Sequence, residues 1–515
     1  MPSTAPSPPW WQAAVLYQVY PRSFLDTTGD GIGDLEGIRS KLAYLRWLGV
    51  DGVWLSPIYE SPMADFGYDV SDHCAVDAVF GGFDHFDRLL ADAHGRDLRL
   101  LLDWVPNHTS DRHPWFLESR ASRDSAKRDW YFWRDGRGPG EPPNNWRAAF
   151  GGRAWTWDAA TGQWYLHLFL PSQPDLNWAH PGVVEAMHGV LRFWLDRGVD
   201  GFRADVVHLI GKDPTLPDQP PELAEIDLVG VHDHPSAHPL LRGIRGVLDA
   251  YPGERVMVGE VNLGSPDLLA PYYGAGDELH MVFNFSLLRA PWDAAAWAAR
   301  IAESDAALTP SGAWPVWVLS NHDTPRHRTR YGESEARARV AATVLLTLRG
   351  TPFLYAGEEL GLADAVIPDD RRVDPGGRDG CRAPIPWDDR PGHGWAGEPW
   401  LPWPPEPGVR NAAALTADPS SILHLYRRLL ACRRASPALH EGTWRPLGAP
   451  DGVLAYERAS GPDVRQVWAN FEEGDGRCPA LGGWVVDVST LGRAEGQSWD
   501  GRLEGTEAVV LRPAG

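Results

Sequence analysis

Gly201-Phe202-Arg203-Ala204-Asp205 closes a short apolar run, and it decides how the rest of the chain is interpreted. In an extended strand, residues i and i+2 lie on one face, so Arg203 and Asp205 are neighbours. A guanidinium there favours the ionised carboxylate, the form of an aspartate that attacks carbon at neutral pH. Taken alone, the spacing fits a structural ion pair better than a nucleophile. The other strand ends decide between these two interpretations.

Short β-rich runs alternate with helical stretches along most of the chain. The predicted strands are residues 14–19, 52–55, 98–103, 201–205, 256–260, 281–285, 316–319 and 353–355. The amphipathic stretches are residues 35–48, 83–94, 183–197 and 334–348. Eight strands with helical crossovers predict an α/β fold, a closed (β/α)8 TIM barrel.

Two stretches depart from the barrel pattern and set the predicted domain limits. Residues 109–175 are rich in Trp, Gly and Pro and are too long for a plain loop, which predicts an inserted subdomain B after the third strand. Residues 436–515 turn to short strands and predict a C-terminal all-β domain, a β-sandwich. The barrel is then formed by residues 1–108 and 176–435.

Composition narrows the class of partner. A formal charge of -21 argues against nucleic acid, and the 26 Trp residues raise the expectation of a carbohydrate ligand. No apolar run is long enough to cross a membrane, and the N-terminus lacks the pattern of a secretory signal. The 4 cysteines are scattered without metal spacing, as is typical of free thiols in a reducing cytoplasm. We therefore expect a cytoplasmic protein.

Acidic and histidine residues recur where the predicted strands end, which is where barrel enzymes carry their chemistry. Besides Asp205, they include His108, Glu260, His322 and Asp323. Each alone fits a polar cap. Gathering several like charges at one rim is costly without a function, which favours an active site.

The three carboxylates suit cleavage of a glycosidic bond. Asp205, beside Arg203, is the expected nucleophile. Glu260 follows an apolar run, and burial is expected to raise its pKa as a general acid and base requires. Asp323 is expected to bind sugar hydroxyls. A retaining reaction places the first two carboxyl groups roughly 5–5.5 Å apart.

These motifs resemble the four signature regions of the α-amylase family, glycoside hydrolase family thirteen. The matching stretches are residues 103–108, 201–205, Glu260 and 321–323, supported by 67–72 and 350–359. Gln173-Pro174-Asp175-Leu176-Asn177-Trp178 resembles the marker of the oligo-1,6-glucosidase and α-glucosidase branch. The resemblance covers nearly the whole chain.

The resemblance implies a role for each site residue. Asp205 is the nucleophile, Glu260 the acid and base, and Asp323 the transition-state stabiliser. Asp69 and Arg378 clamp the non-reducing glucose, which makes the enzyme exo-acting. The further residues around that glucose are Tyr68, His108, Phe169, Arg203 and His322.

A metal site is implied by the loop from residue 26 to 34. Alternating oxygen ligands with a sharp Gly turn suit calcium or magnesium as a structural ion. The implied ligands are Asp26, Thr28, Asp30, the Ile32 carbonyl and Asp34, with Thr28 a weaker ligand than the Asn that relatives often carry. The alternative is an Asp- and Gly-rich loop without an ion. No cofactor is expected for catalysis.

The expected activity is a retaining exo-α-glucosidase acting on short α-glucosides of the maltose or isomaltose type. Val206 resembles the residue of α-1,6-acting relatives, but a single pocket contact discriminates weakly, so linkage stays open. A transglucosylase, or a relative specific for sucrose or trehalose, would use the same acids. A catalytically silent relative or a plain sugar-binding module is disfavoured, because all three carboxylates are present.

Overall fold

The computed structural model describes residues 8–138, 140–223 and 233–514. Eight parallel strands close into a barrel in chain order, and the last pairs with the first. They are β1 Leu16–Val19, β2 Gly52–Leu55, β3 Arg99–Trp104, β4 Gly201–Ala204, β5 Val256–Gly259, β6 Met281–Asn284, β7 Pro315–Val318 and β8 Thr351–Tyr355. The predicted (β/α)8 barrel is confirmed, with each strand within a few residues of its predicted limits.

Helices cover the outside of the barrel. The longer ones are Leu35–Leu48, Gly82–His94, Pro181–Arg197, Ala237–Asp249, Ala294–Leu308, Glu335–Thr347 and Ile422–Ala435. The shorter ones are Trp10–Ala13, Pro114–Ala121, Pro266–Leu269, His327–Arg330, Ala412–Ala417 and Pro437–His440. Local sequence explains their ends. Asp34 caps the first long helix by accepting from the Gly37 N–H, and Gly49 ends it with φ of 110°.

Alternation along the strands separates two apolar cores. In β5, Val256 and Val258 belong to the cluster inside the barrel, and Met257 belongs to the cluster under the helices. The register places Val258 beside Arg203 and Arg203 beside Asp103. Arg203 and Asp103 therefore occupy inward positions two residues above Gly201 and Leu101. The inside of the barrel changes from apolar to charged at its C-terminal end.

The insertion after β3 carries its own sheet and core. Its antiparallel strands are Trp133–Arg134, Trp155–Asp158 and Gln163–Leu166, all within the range predicted for subdomain B. Its core is rich in aromatic side chains, among them Trp146, Trp155 and Trp164, and it includes Val206 and Leu209 of the barrel. The insertion is thus packed directly against the segment that follows β4.

The C-terminal region is all-β, as predicted. Its strands are Thr443–Pro446, Val453–Ser460, Asp463–Asn470, Gly476–Arg477, Trp484–Ser489, Arg502–Leu503 and Ala508–Pro513. Five of them form one antiparallel sheet, and the two shortest strands form a second sheet. Tyr456 joins the main core and its hydroxyl contacts Thr347 at 2.5 Å, which fixes the sheet against the barrel helix Glu335–Thr347.

Three sequence expectations concern the whole chain. Within the described ranges, none of the helices combines the length and apolar character that a bilayer crossing requires. All 4 cysteines, which the structure describes, are free thiols. The N-terminal residues 1–7, expected not to form a secretory signal, lie outside the described residues.

Candidate active site

A cavity of about 450 Å³ opens where the barrel strands end. Seven of the predicted site residues line it: Tyr68, His108, Phe169, Asp205, Glu260, Asp323 and Arg378. Arg203 and His322, which were also predicted, are buried beneath them. Asp69 is absent from the lining. Val206, expected to be a pocket contact, also lines the cavity. The walls further include residues that were not predicted as site residues, among them Asp65, Phe150, Asn262 and Arg289.

Arg203 joins three carboxylates at the floor of the cavity. Its Nη1 donates to Asp205 Oδ1 at 2.8 Å and to Asp103 Oδ1 at 2.8 Å, and its Nη2 donates to Glu260 Oε2. Asp205 and Glu260 are therefore held by neighbouring nitrogens of one planar group, which brings both into the same cavity. The Arg-x-Asp spacing predicted the Asp205 contact. The contact with Glu260 depends on the β4–β5 pairing.

The protonation of Asp205 depends on burial as well as on Arg203, which favours the ionised carboxylate as expected. Burial raises the pKa of Asp205 well above its usual range, and Arg203 opposes this, while the charges of Glu260, Asp103 and Asp323 add to it. Burial likewise raises the pKa of Asp103 to about 6, against the pull of Arg203. Arg203 does not fully offset the burial of Asp205 and Asp103, so these two carboxyls hold a proton more tightly than isolated carboxyls do.

His322 and Tyr68 form the next layer of the floor. Gln18 Nε2 donates to His322 Nδ1 at 2.7 Å, which leaves the ring proton on Nε2. That nitrogen lies 2.6 Å from the Tyr68 hydroxyl and 3.3 Å from Asp323 Oδ2. Burial lowers the pKa of His322 to about 3, so the ring is neutral and presents one N–H to the cavity side.

Asp323 lies between two arginines. Its Oδ1 accepts from Arg378 Nη1 at 2.9 Å and from Arg382 Nη2 at 3.2 Å. Burial alone would raise the pKa of Asp323, but His322, Arg378 and Arg382 outweigh it and hold the pKa below its usual range. Asp323 thus loses its proton at a lower pH than Asp205 and Asp103 do.

The predicted pair of Asp69 with Arg378 is wrong. Arg378 Nη2 donates to Asp65 Oδ1 at 2.7 Å, and Asp65 lines the cavity. Asp69 is fully buried and accepts from the Ser61 hydroxyl and from the N–H groups of Ala64 and Asp65, all at 2.9 Å. These three hydrogen bonds occupy the Asp69 carboxylate and stabilise the loop that carries Asp65 at the cavity wall. We call the cavity wall formed by Asp65, Asp323 and Arg378 the Arg378 end.

The insertion supplies one side of the cavity. Phe169 lies 5.0 Å from the His108 ring, and the Arg378 guanidinium lies 5.3 Å from the centre of the Phe150 ring. Gln173, from the branch marker, places its amide nitrogen 3.2 Å from His108 Nε2 and 3.0 Å from Asp65 Oδ2. Burial lowers the pKa of His108 to about 3, which keeps this ring neutral.

Val206, directly after the nucleophile candidate, has a left-handed backbone with φ of 33°. This conformation is rare for a β-branched residue. The Val206 N–H lies 3.3 Å from Glu260 Oε2, and its side chain packs into the core of the insertion. One residue therefore connects Asp205, Glu260 and the insertion.

The opposite side of the cavity is open. Asn262 and Arg289 are both exposed there, and Arg289 Nη2 donates to Asn262 Oδ1. We call this side the Arg289 end. Neither residue was predicted as part of the site. Asn262 lies two residues after Glu260, and Arg289 lies in the loop after β6, where nothing in the local pattern marks it.

The predicted metal loop uses its carboxylates in another way. Those of Asp26, Asp30 and Asp34 accept hydrogen bonds from backbone N–H groups. The donors are Thr27, Thr28, Gly29, Gly31, Ile32, Gly37 and Gly397, at 2.7 to 3.0 Å. Across the described parts of the chain, no three His, Cys, Asp or Glu side chains are grouped as metal ligands. The structural metal at this loop stays a prediction.

The chain is similar in sequence to known proteins over most of its length. The chain matches the α-amylase catalytic-domain family over residues 18–442. It is 42% identical over 501 residues to the probable α-glucosidase of Rhizobium meliloti (strain 1021), covering 91% of this chain and 90% of the relative. It is 38% identical over 514 residues to the oligo-1,6-glucosidase of Parageobacillus thermoglucosidasius, covering 90% and 91%.

A solved structure extends the match to the fold. The α-glucosyl transfer enzyme XgtA is 40% identical and superposes with a TM-score of 0.92, covering 98% of this chain and 100% of XgtA. The acid-lined cavity on a (β/α)8 barrel and these relatives define a glycoside hydrolase. The predicted resemblance is confirmed: the chain belongs to the α-amylase family, glycoside hydrolase family thirteen, in the branch of α-glucosidases and oligo-1,6-glucosidases.

Proposed function

We propose that the protein is a retaining, exo-acting α-glucosidase, which releases terminal glucose from short α-glucosides through a covalent glucosyl–Asp205 intermediate. One observation carries the proposal: Arg203 holds Asp205 and Glu260 on adjacent nitrogens at the floor of one cavity. Two carboxyl groups that close suit direct attack on the anomeric carbon, whereas an inverting enzyme leaves room for water between them. The glucosidase names of the relatives support a small saccharide as substrate.

In the first step, Glu260 donates its proton to the glycosidic oxygen while an oxygen of Asp205 attacks C1. The C1–O bond to the leaving sugar breaks, and a β-glucosyl ester forms. In the second step, Glu260 takes a proton from water, whose oxygen attacks C1 and frees Asp205, releasing α-glucose. Arg203 stays bound to both carboxyl groups and stabilises the charge that moves between them.

The Arg378 end supports an exo mode. Asp65 and Arg378 close the cavity with a buried ion pair, and Arg378 also contacts Asp323. A carboxylate and a guanidinium side by side can accept from and donate to adjacent hydroxyls of one sugar ring. A glucose bound there has no room for a further sugar beyond it, so cleavage occurs after one residue.

The direct test uses NMR of the anomeric proton during hydrolysis of a panel of α-linked disaccharides. We expect α-glucose to appear first, with the linkage preference read from the relative rates. Asp205→Asn serves as the control that assigns turnover to this site. First appearance of β-glucose would rule out the retaining mechanism.

A second activity is supported by the likeness to XgtA, which is named as an α-glucosyl transfer enzyme. The same glucosyl ester can pass glucose to a sugar or alcohol instead of water. Specificity for sucrose or trehalose would also leave the acids unchanged. Measuring free glucose against transfer products at high substrate concentration separates hydrolysis from transfer, and transfer products in excess would favour the second activity.

We also propose a cytoplasmic location, supported by the free thiols. The structural calcium or magnesium at the loop from residue 26 to 34 remains a proposal from family resemblance. Its test is thermal unfolding with millimolar calcium or with EDTA. A rise in Tm with calcium in the wild type, absent in Asp30→Asn, would support the site, and identical Tm values in both conditions would reject it.

A further inference from the structure

Arg289 borders two cavities. It lines the catalytic cavity and also a smaller adjoining cavity of about 80 Å³. The smaller cavity lies between the loops that follow β5 and β6, on the side of the pocket away from Asp65. Its walls include Ser265, Asn284, Phe285 and Ser286. A group attached to the leaving side of the glycosidic bond would meet Arg289 and then this space.

The charge of the smaller cavity is opposite to that of the protein. Two arginines, Arg289 and Arg300, line it, and no carboxylate residue is among its lining residues. Arg300 has a surface partner, Glu303 at 3.2 Å. Arg289 contacts the neutral Asn262, and within the described ranges it has no carboxylate within ion-pair distance. In a chain of net charge -21, a guanidinium without a carboxylate at the mouth of the active site is unusual.

The shape and polarity of this space fit a small anionic group. A guanidinium is a planar donor that binds carboxylate or phosphate oxygens through paired hydrogen bonds. Ser286, in the wall, has an Oγ that is shielded from solvent and makes no hydrogen bond. A neutral leaving sugar could accept hydrogen bonds from the Arg289 guanidinium but could not form an ion pair with it, because hydroxyl oxygens carry no charge.

We propose that the leaving-group side of this site prefers α-glucosides whose aglycone carries an anionic group, a carboxylate or a phosphate, and that Arg289 is the residue that recognises it. This inference rests on the proposed glucosidase function. To that function it adds a preference for the charge of the aglycone. The alternative is that Arg289 only ties Asn262 to the loop after β6.

The test compares three substrates that differ in one group: glucosylglycerol, glucosylglycerate and glucosylglycerol phosphate, all α-linked. We expect kcat/KM about tenfold higher for at least one anionic compound than for glucosylglycerol, the size of one charge-assisted hydrogen bond. The preference should fall as salt is raised, since partly exposed charges are screened. The two anionic arms show whether carboxylate or phosphate is the better ligand.

Arg289→Gln removes the charge and keeps most of the length. We expect the ratio of anionic to neutral kcat/KM to fall to about one in this variant. Arg192→Gln is the matched control, because Arg192 is an arginine outside both cavities, paired with Glu185, and its loss changes the net charge equally. Its ratio should equal that of the wild type. Where turnover is slow, the inhibition constants of the three compounds against a disaccharide give the same ratio.

Several outcomes overturn the inference. Equal kcat/KM for neutral and anionic compounds in the wild type would do so, as would a preference that survives Arg289→Gln or disappears in Arg192→Gln. These results leave the glucosidase proposal intact. That proposal fails separately if the wild type releases no glucose from any neutral disaccharide or from glucosylglycerol.

Discussion

The Arg378 end and the Arg289 end of the catalytic cavity are held by different forces. At the Arg378 end, one guanidinium contacts Asp65, Asp323 and Asp374 at 2.7 to 2.9 Å, and its side chain is only 16% exposed. At the Arg289 end, two exposed side chains share one contact. Buried networks fix geometry, and exposed single contacts do not. For the proposed glucosidase, this difference predicts rigid recognition of the terminal glucose and a more variable leaving group and acceptor.

The largest effect is expected at the floor between the two ends. Asp205→Asn removes the attacking carboxylate, and turnover of any disaccharide should fall by about three orders of magnitude or more. The amide keeps the shape of the side chain, so Tm and the circular dichroism spectrum should change little. Ordinary activity in this variant would contradict the assignment of Asp205 as nucleophile.

At the Arg378 end, Asp65→Ala or Arg378→Ala should lower kcat/KM on a disaccharide by about 100-fold, because each removes a charged group that is proposed to hydrogen-bond the terminal glucose. Asp69→Ala is the informative comparison. Its carboxylate holds the loop through three hydrogen bonds, so its loss should show mainly as a lower Tm. If Asp69→Ala lost activity without losing stability, and Asp65→Ala kept its activity, then Asp69 rather than Asp65 would bind the terminal glucose together with Arg378.

The protonation of the floor predicts a pH effect. Asp205 attacks as the carboxylate and its pKa is raised, so kcat/KM should fall as pH drops through that raised value. Asp103→Asn removes a like charge that contributes to the raised pKa of Asp205. The acidic limb of the kcat/KM profile should therefore move to lower pH.

The control for this measurement is Asp87→Asn, at a half-exposed aspartate paired with Arg197 outside the cavity. Its acidic limb should coincide with that of the wild type. Movement of the limb to higher pH in Asp103→Asn would show that loss of the Asp103–Arg203 contact outweighs loss of the charge.

The smallest effect is expected at Val206, between the fixed floor and the open end. Val206→Thr keeps the branched shape but places a hydroxyl against the apolar core of the insertion. One such contact is worth about 1–3 kcal/mol, so the ratio of rates on isomaltose and maltose should change by about tenfold. Equal ratios in wild type and variant would assign linkage preference to the Arg289 end instead.

The barrel and its three acids could be predicted from sequence because both follow from local patterns. Apolar runs of strand length gave the strands, and the polar residues that follow them converge because parallel strands end at one face. Asp205, Glu260 and Asp323 all line the cavity as that rule requires. The Arg203 contact with Asp205 also follows from strand parity.

Side chains on loops could not be placed in the same way. Asp65 and Asp69 flank Tyr68, and between residues 63 and 67 the backbone takes positive φ at Met63, Phe66 and Gly67. Such turns destroy the alternation that predicts which side chain faces inward. The raised pKa of Asp205 could not be predicted for another reason. Sequence shows its arginine neighbour, but the dominant cause, burial among other acids, appears only in three dimensions.

The insertion after β3 has a consequence for how this scaffold can diversify. It brings Phe150 and Phe169 to the cavity, while the acids Asp205, Glu260 and Asp323 follow the ends of barrel strands. Part of its aromatic core, with Trp155 and Trp164, packs with Val206 and Leu209 after β4. Another part, with Phe116, Tyr131 and Trp133, belongs to the main core of the barrel. The side chains that shape the sugar-binding cavity and the side chains that break the bond therefore come from different segments of the chain. An exchanged insertion that preserves both sets of contacts with the barrel would carry a new substrate preference onto an unaltered reaction.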